Sequence, residues 1–176
     1  MVVKAALLRL AAMIMFLAAP QAAWAEVVVT FYSHELGSSF PHAFFTVKGT
    51  IDATGEPVDD NFGFTAKSVT PAILMGSVAG RMDKVDAKYL NSSQRRFTLT
   101  INDDEYHRLT AFIQQWASYN PSKAYNLNRR NCVHFVMEAA AALGLKVNRN
   151  SRFFKKPRSF LDEVKGLNPS VVKSAL

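Results

Sequence analysis

Four stretches of the chain have the composition and spacing of β-strands. They are rich in valine, isoleucine, threonine and aromatic residues, which strands favour. The predicted strands cover residues 26–33, 42–51, 61–66 and 95–101. The first strand is apolar almost throughout, which indicates burial on both faces. Residues 52–60 contain Gly55 and Pro57 and are typical of a hairpin loop, so we expect an antiparallel sheet.

Three further stretches have the apolar spacing of helices that bury one face. The predicted helices cover residues 103–119, 132–143 and 157–165. Asn102 and Glu105 have the spacing of a capping box at the start of the first helix. Asn131 is a suitable N-cap for the second helix, and Gly144 follows its end. Residues 70–90 are compatible with a short helix or with a loop, and the whole pattern predicts an α+β fold.

Residues 1–25 have the pattern of a secretory signal peptide. Lys4 and Arg9 supply positive charge, an apolar run follows, and Ala23-Trp24-Ala25 has the small residues of a cleavage site. We expect cleavage before Glu26 and release to the periplasm or the medium. The alternative is an uncleaved anchor, although the apolar run is short for a membrane span.

The remaining chain of about 150 residues is long enough for one domain with a real core. We predict that domain over residues 26–147, followed by a basic C-terminal extension with a short helix over 148–176. Aromatic residues interleave with the positive charges of the extension. These charges favour contact with anionic envelope polymers or an anionic membrane surface, and the alternative is a solubilising surface. Export makes nucleic acid an improbable partner, and the sequence predicts no oligomeric state.

Cys132 is the only cysteine of the chain and begins the second predicted helix. The helix dipole and the free N–H groups of a first turn favour an anion, so a thiolate forms there more easily. A lone cysteine cannot form an internal disulfide, and oxidising compartments endanger free thiols. Its presence in an exported protein therefore indicates either a nucleophile or a small, deeply buried apolar side chain.

A cysteine nucleophile needs a histidine base, and the chain has four histidines. His134 lies two residues after the cysteine and points to another side of the same helix. His107 is expected to be exposed at a helix start, and His34 lies in a loop predicted over residues 34–41. His42 opens a strand and is the base that we predict, the alternative being a histidine whose ring is satisfied by backbone groups at a strand end.

The sequence gives no indication of a cofactor. It has no paired cysteine or histidine spacing of the zinc-binding kind and no glycine-rich phosphate loop. The expected chemistry therefore depends on side chains alone.

Two short motifs, in this order, resemble the circularly permuted papain-like fold of the NlpC-type superfamily. Residues 131–135, Asn-Cys-Val-His-Phe, are similar to the Asn-Cys-Glu-His-Phe motif of its lecithin–retinol acyltransferase-like branch. Residues 41–44, Pro-His-Ala-Phe, resemble the histidine strand, and residues 61–64, Asn-Phe-Gly-Phe, the strand that follows. Tyr125 and Leu127 resemble the lead-in to the cysteine of permuted bacterial members. The resemblance covers residues 30–145.

The resemblance implies a catalytic domain over residues 26–147, with Cys132 as nucleophile and His42 as base. The third, polar residue normally lies on the next strand, where Asn61 is the preferred match and Thr65 the second choice. The oxyanion hole would use the backbone N–H of Cys132 and a neighbouring donor. The candidates for that donor are Tyr125 and Asn131, and Asn131 is also explained as a helix cap.

These inferences lead to three functional hypotheses. The first is an exported thiol hydrolase that cuts amide bonds, as a peptidoglycan amidase or endopeptidase acting on cell-wall peptides. The second keeps the fold and acts on lipids, as an acyltransferase or esterase. Two departures count against it: Val133 replaces the acidic residue of the lipid-active branch, and no histidine follows on the strand after His42. The third is an inactive envelope binding module in which Cys132 is packed and inert.

Overall fold

A computed structural model describes residues 26–35, 40–120 and 124–174, and the predicted signal peptide lies outside these residues. Six strands form one sheet in the order β5-β3-β2-β1-β6-β8, and every pair of neighbours is antiparallel. Two short strands, β4 and β7, pair separately. The strands are β1 Val27–His34, β2 His42–Thr50, β3 Pro57–Ala66, β4 Ser77–Val78, β5 Gly80–Asp83, β6 Gln94–Ile101, β7 Tyr125–Asn126 and β8 Lys173–Ser174.

Two long helices and a C-terminal helix accompany the sheet, as the apolar spacing predicts. The helices are α1 Ala72–Met75, α2 Ala87–Asn91, α3 Asp103–Ala117, α4 Cys132–Ala142 and α5 Pro157–Leu167. The predicted capping box is present, because Asn102 and Glu105 each bond the backbone N–H of the other. Gly144 follows α4 at φ +78°, a left-handed conformation that glycine adopts without strain. The α+β fold with an antiparallel sheet is confirmed.

The core lies between the sheet and the helices α4 and α5. Helix α4 packs on β2 and β3, and α5 packs on β1 and β6. The rings of Phe45 and Phe135 stack at 5.6 Å between sheet and helix, and Phe31 stacks on Phe97 at 4.7 Å within the sheet. Strand β1 is buried along most of its length, as its apolar run predicts.

The predicted boundary at residue 147 does not divide the structure. Phe160, Leu161 and Val164 of α5 belong to the same core as α4, and β8 adds a strand beside β6. The basic residues that suggested an extension lie on the exposed side of this segment. Its apolar residues were correctly expected to face inward, and their burial makes the segment part of the domain.

Strand β3 begins at Pro57, which corrects the loop predicted up to residue 60. Gly55 and Pro57 indicated the loop, and Asp59 and Asp60, which are unusual in strands, gave no sign that the strand had begun. The pairing is stabilised across the strands, because Lys48 lies opposite Asp59 and bonds its carboxylate at 3.2 Å. Among the described residues, none of the helices combines the length and apolar character that a bilayer crossing requires.

Candidate active site

Cys132 is the first residue of α4, and its thiol lies against the start of β2. Its side chain is buried, with 8% of the residue exposed. The backbone N–H of Ala43, the residue directly after His42, lies near enough to the sulfur to favour its thiolate form. Asn131 caps the helix, because its Oδ1 atom accepts from the N–H groups of Val133 at 2.8 Å and His134 at 3.2 Å. The cap and the Ala43 contact together fix the sulfur beside the first residues of β2.

His42 is the first residue of β2 and is buried, with 7% exposed. Its ring stacks on Phe44 at 5.9 Å and meets the edge of Tyr89 at 6.5 Å. The ring passes over the backbone of Gly63 on the neighbouring strand, where a Cβ atom would lie 2.7 Å from Nε2. His42 and Cys132 line the same cavity, so the structure brings the predicted nucleophile and base to one site.

Asp83 is the acidic group next to the imidazole. Its Oδ2 atom lies 3.8 Å from Nε2 of His42, and its Oδ1 atom forms an ion pair with Arg81 at 3.0 Å. The strand register explains this position, since Gly63 of β3 pairs with Asp83 of β5. Nε2 is buried and has no hydrogen-bond partner within the described part of the chain. A small movement of either side chain would let the carboxylate accept from Nε2 and orient the ring.

Asn61, the preferred third residue, has a different place in the structure. Its side chain bonds the backbone of Val85 twice, accepting from the N–H at 2.7 Å and donating to the carbonyl at 3.2 Å. Asn61 therefore holds the segment that follows β5 and does not line the cavity. Thr65, the second choice, does line the cavity. Sequence reasoning missed Asp83 because β5 lies in the stretch that gave no clear pattern.

Burial keeps the Cys132 thiol and the His42 imidazole uncharged near neutral pH. It raises the pKa of the Cys132 thiol to about 11, and hydrogen bonds from backbone N–H groups, Ala43 first, oppose the shift. Burial also lowers the pKa of His42 to about 4, with smaller effects from the positive charges of His34 and Arg81. The resting pair is thus a thiol and a neutral imidazole, so the imidazole is free to accept a proton.

Two residues are candidate oxyanion donors, and the structure separates them. The side-chain amide of Asn131 donates to the carbonyl oxygens of Leu127 and Phe154, each at 2.8 Å, so both of its hydrogens are used. Asn131 is thus a cap and a connector. Tyr125 lines the cavity, and its pKa is raised by burial and then by the nearby charge of a Cys132 thiolate. Tyr125 therefore has the position and the proton that a second oxyanion donor needs.

The other three histidines have separate surroundings. His134 stacks on Phe154 at 4.4 Å, and its Nδ1 atom lies 2.9 Å from Oδ1 of Asn131 within the helix cap. His107 is exposed, as the sequence indicates. His34 ends strand β1 and is not in a loop as predicted, because it pairs with His42 across β1 and β2; its ring stacks on Tyr89 at 4.1 Å. His34 therefore packs next to the ring of His42, the predicted base.

The cavity that contains the pair has a volume of about 1040 Å³ and opens to solvent. One part of its lining is apolar, with Phe40, Val69, Ile73 and Leu74. The other part carries charged groups on the strands and at the rim, among them Arg81, Asp83, Lys67 and Lys155. Among the described residues, no group of three or more histidine, cysteine, aspartate or glutamate side chains is arranged to hold a metal ion. The arrangement suits attack by a buried sulfur on a carbonyl carbon.

Comparisons with known proteins give one structural likeness. No family model and no curated sequence matches the chain. The crystal structure of a type VI secretion system effector, TseH, matches with a TM-score of 0.52 over 87% of this chain and 94% of the effector chain. The two sequences are 13% identical, so the likeness concerns the fold, and it supports a papain-like α+β arrangement.

Proposed function

We propose that this chain is an exported thiol hydrolase with Cys132 as nucleophile and His42 as general base. One observation carries the proposal: Cys132 and His42 line one cavity, and the backbone N–H of Ala43, next to His42, favours the thiolate of Cys132. The permuted connectivity of the superfamily is part of this proposal, because the histidine strand precedes the cysteine helix in the chain. The α+β fold, which this chain shares with the effector structure, is consistent with the papain-like arrangement that a thiol hydrolase would use.

Asp83 orients the base in the proposed mechanism. The carboxylate faces Nε2 and favours the tautomer with its proton on that nitrogen, which leaves Nδ1 as the acceptor. Nδ1 takes the proton from the thiol as the sulfur attacks the carbonyl carbon of an amide. Thiolate and imidazolium are created together and stabilise each other, which offsets the cost of forming each charge in a buried site. Burial raises the pKa of the Asp83 carboxyl, and the ion pair with Arg81 at 3.0 Å opposes that shift and so favours the carboxylate.

The remaining steps follow from the same residues. The carbonyl oxygen becomes an oxyanion, which the backbone N–H of Cys132 and the hydroxyl of Tyr125 stabilise. When the C–N bond breaks, the imidazolium gives its proton to the leaving amine, and a thioester remains on the sulfur. Water, deprotonated by His42, then attacks the thioester, releases the carboxylic acid and restores the thiol.

The substrate that we propose is an amide bond of a cell-wall peptide. Support comes from the signal-peptide pattern of residues 1–25 and from the resemblance to a superfamily whose exported members commonly cut such bonds. The similar structure is that of a secretion-system effector, which agrees with a function outside the cell that makes it. Polar groups on one side of the cavity suit a peptide substrate.

The test uses the mature protein, residues 26–176, and purified cell-wall peptidoglycan. New amino groups are labelled and the released peptides are identified by mass spectrometry. We expect cleavage by the parent protein and none by Cys132→Ala, with equal melting temperatures for the two proteins. Cleavage that persists unchanged in Cys132→Ala would exclude a thiol mechanism.

The apolar part of the cavity favours a second candidate function, cleavage or transfer of an acyl group of a lipid. Phe40, Val69 and Leu74 would contact an acyl chain beside the thiol. The parent protein and Cys132→Ala also distinguish the two functions when they are incubated with phospholipid vesicles in place of peptidoglycan. Release of fatty acid that depends on Cys132, without release of peptides, would favour the lipid function.

A further inference from the structure

Large exposed apolar side chains are concentrated at the mouth of the active-site cavity. Of the seven that the described residues include, four lie there. They are Phe40, Val69, Leu74 and Met75, with 65%, 55%, 77% and 89% of each residue exposed. The first three line the cavity, and Met75 follows Leu74 in α1. Contiguous apolar surface of this kind marks an interaction site more often than chance exposure does.

Helix α1 is built from apolar residues and has none of them buried. Its sequence is Ala-Ile-Leu-Met, and it forms the tip of a loop that a hydrogen bond between Lys67 N–H and Ala79 O, at 2.8 Å, closes at its base. The loop stands between β3 and β5, away from the core of the sheet. A tip with leucine and methionine in contact with water is unfavourable unless something covers it.

Positive charge surrounds this apolar tip. Arg81 and Lys84 are neutralised by Asp83 and Asp60, but Lys67 and Lys155 at the rim have no carboxylate partner among the described residues. Lys155 is close in sequence to three further exposed cations that have no acidic partner among the described residues. They are Arg152, Lys156 and Arg158. The face around the cavity mouth thus has an apolar centre and a cationic border. Its chemical complement is a surface with an anionic outer layer and an apolar interior.

We propose that the mouth of the cavity docks on a lipid bilayer that contains anionic headgroups. The docking face consists of Val69, Leu74 and Met75, which insert below the headgroups, and of Lys67 and Lys155, which contact the phosphates. An anionic polymer would pair with the lysines but leave the apolar tip in water, whereas a bilayer accommodates both. The thiol would then open toward the membrane surface. This placement goes beyond the proposed hydrolysis and does not depend on which bond is cut.

The test measures binding to vesicles with the mature Cys132→Ala protein, so that hydrolysis cannot change the membrane. Vesicles of phosphatidylcholine alone are compared with vesicles that also contain phosphatidylglycerol, by co-sedimentation. We expect binding to the anionic vesicles and at least about tenfold weaker binding after Leu74→Ser with Met75→Ser, because each inserted side chain loses its transfer out of water. Leu167→Ser with Val171→Ser, which also changes exposed apolar residues, is the matched control and should bind like the parent.

A second measurement follows insertion directly. Met75→Trp should show a blue shift of its fluorescence with anionic vesicles, and part of the binding should persist at about 1 M salt, where the screening length is about 3 Å. Equal binding by the Leu74 and Met75 double variant and its parent would overturn the proposal. So would an absence of vesicle binding, or binding that high salt abolishes completely, because such binding would be electrostatic contact without insertion. Because the protein tested is inactive, these outcomes do not bear on the thiol mechanism.

Discussion

The backbone of Gly63 provides the space that the ring of His42 occupies. A Cβ atom on residue 63 would lie 2.7 Å from Nε2 and 3.3 Å from Cε1 of that ring, closer than van der Waals contact allows. The ring has little freedom to move away, since Phe44 and Tyr89 hold its other sides. The direction of the proposed base thus depends on a residue without a side chain on the neighbouring strand.

Gly63→Ala is therefore expected to impair catalysis more than folding. The added methyl group would displace the imidazole, and a displacement of about 1 Å can cost about a hundredfold in rate. Turnover of the substrate found in the cleavage assay, together with the melting temperature, checks this. Gly166→Ala is the control, because a Cβ atom at Gly166 meets nothing within 4 Å. Full activity of Gly63→Ala would contradict the assignment of His42.

The third residue is tested by comparing Asp83 with Asn61. Asp83→Asn removes the charge beside Nε2, and we expect turnover to fall by about tenfold to a hundredfold, less than in triads with a direct hydrogen bond. Asn61→Ala removes two hydrogen bonds to Val85 and should lower stability by about 1–3 kcal/mol, while the turnover of the folded protein stays high. Turnover and urea unfolding measure the two effects. If Asn61→Ala lowered turnover and Asp83→Asn did not, Asn61 would be the residue that orients the His42 ring.

Acid should destabilise this protein through His42. Its pKa is lowered to about 4 in the folded state, against an ordinary value of 6.5. Between these values the unfolded chain binds a proton that the folded protein does not, so stability falls as the pH falls from 6.5 to 4. The contribution is up to about 3 kcal/mol. Urea unfolding of the parent and of His42→Gln across this range checks it, and an identical pH dependence in both proteins would contradict the burial of a neutral His42.

The thiol of Cys132 should react as a buried thiol with a raised pKa. Because burial raises the pKa to about 11, the rate of alkylation by iodoacetamide should increase about tenfold per pH unit between neutral pH and pH 10. Mass spectrometry of the modified protein gives the rate. His42→Gln should react more slowly near neutral pH if the imidazole assists, and an unchanged rate would favour the inactive binding module. A plateau already below pH 7 would instead show a preformed thiolate.

The sequence predicts the parts of the fold whose residues show their environment locally. The run from Val27 to Tyr32 is largely apolar and buried, and β1 is an inner strand of the sheet on which α5 packs. Asn102 and Asn131 stand where helices need an acceptor for free N–H groups. The same local reasoning, combined with a family resemblance, predicts Cys132 as nucleophile and His42 as base, and the structure places both in one cavity.

What the sequence does not show depends on pairing between distant segments. Strand β5 is four residues long and has no apolar alternation of its own, and it is a strand because it pairs with β3. Asp83 reaches the imidazole only through that register, so residue type and spacing could not select it over Asn61. The sequence had one local indication of this strand: Arg81 and Asp83 are two residues apart, so in an extended segment their side chains lie on the same side and can form an ion pair.

The amide of Asn131 fastens three parts of the chain next to the sulfur. It donates to Leu127 in the preceding turn and to Phe154 in the C-terminal segment, and it accepts from the first turn of α4. A stop codon between residues 147 and 154 would therefore remove the Phe154 carbonyl that this amide bonds and loosen the position of Cys132 as well. We therefore expect a protein that ends at residue 147, the boundary that the charge pattern suggests, to lose the arrangement around Cys132.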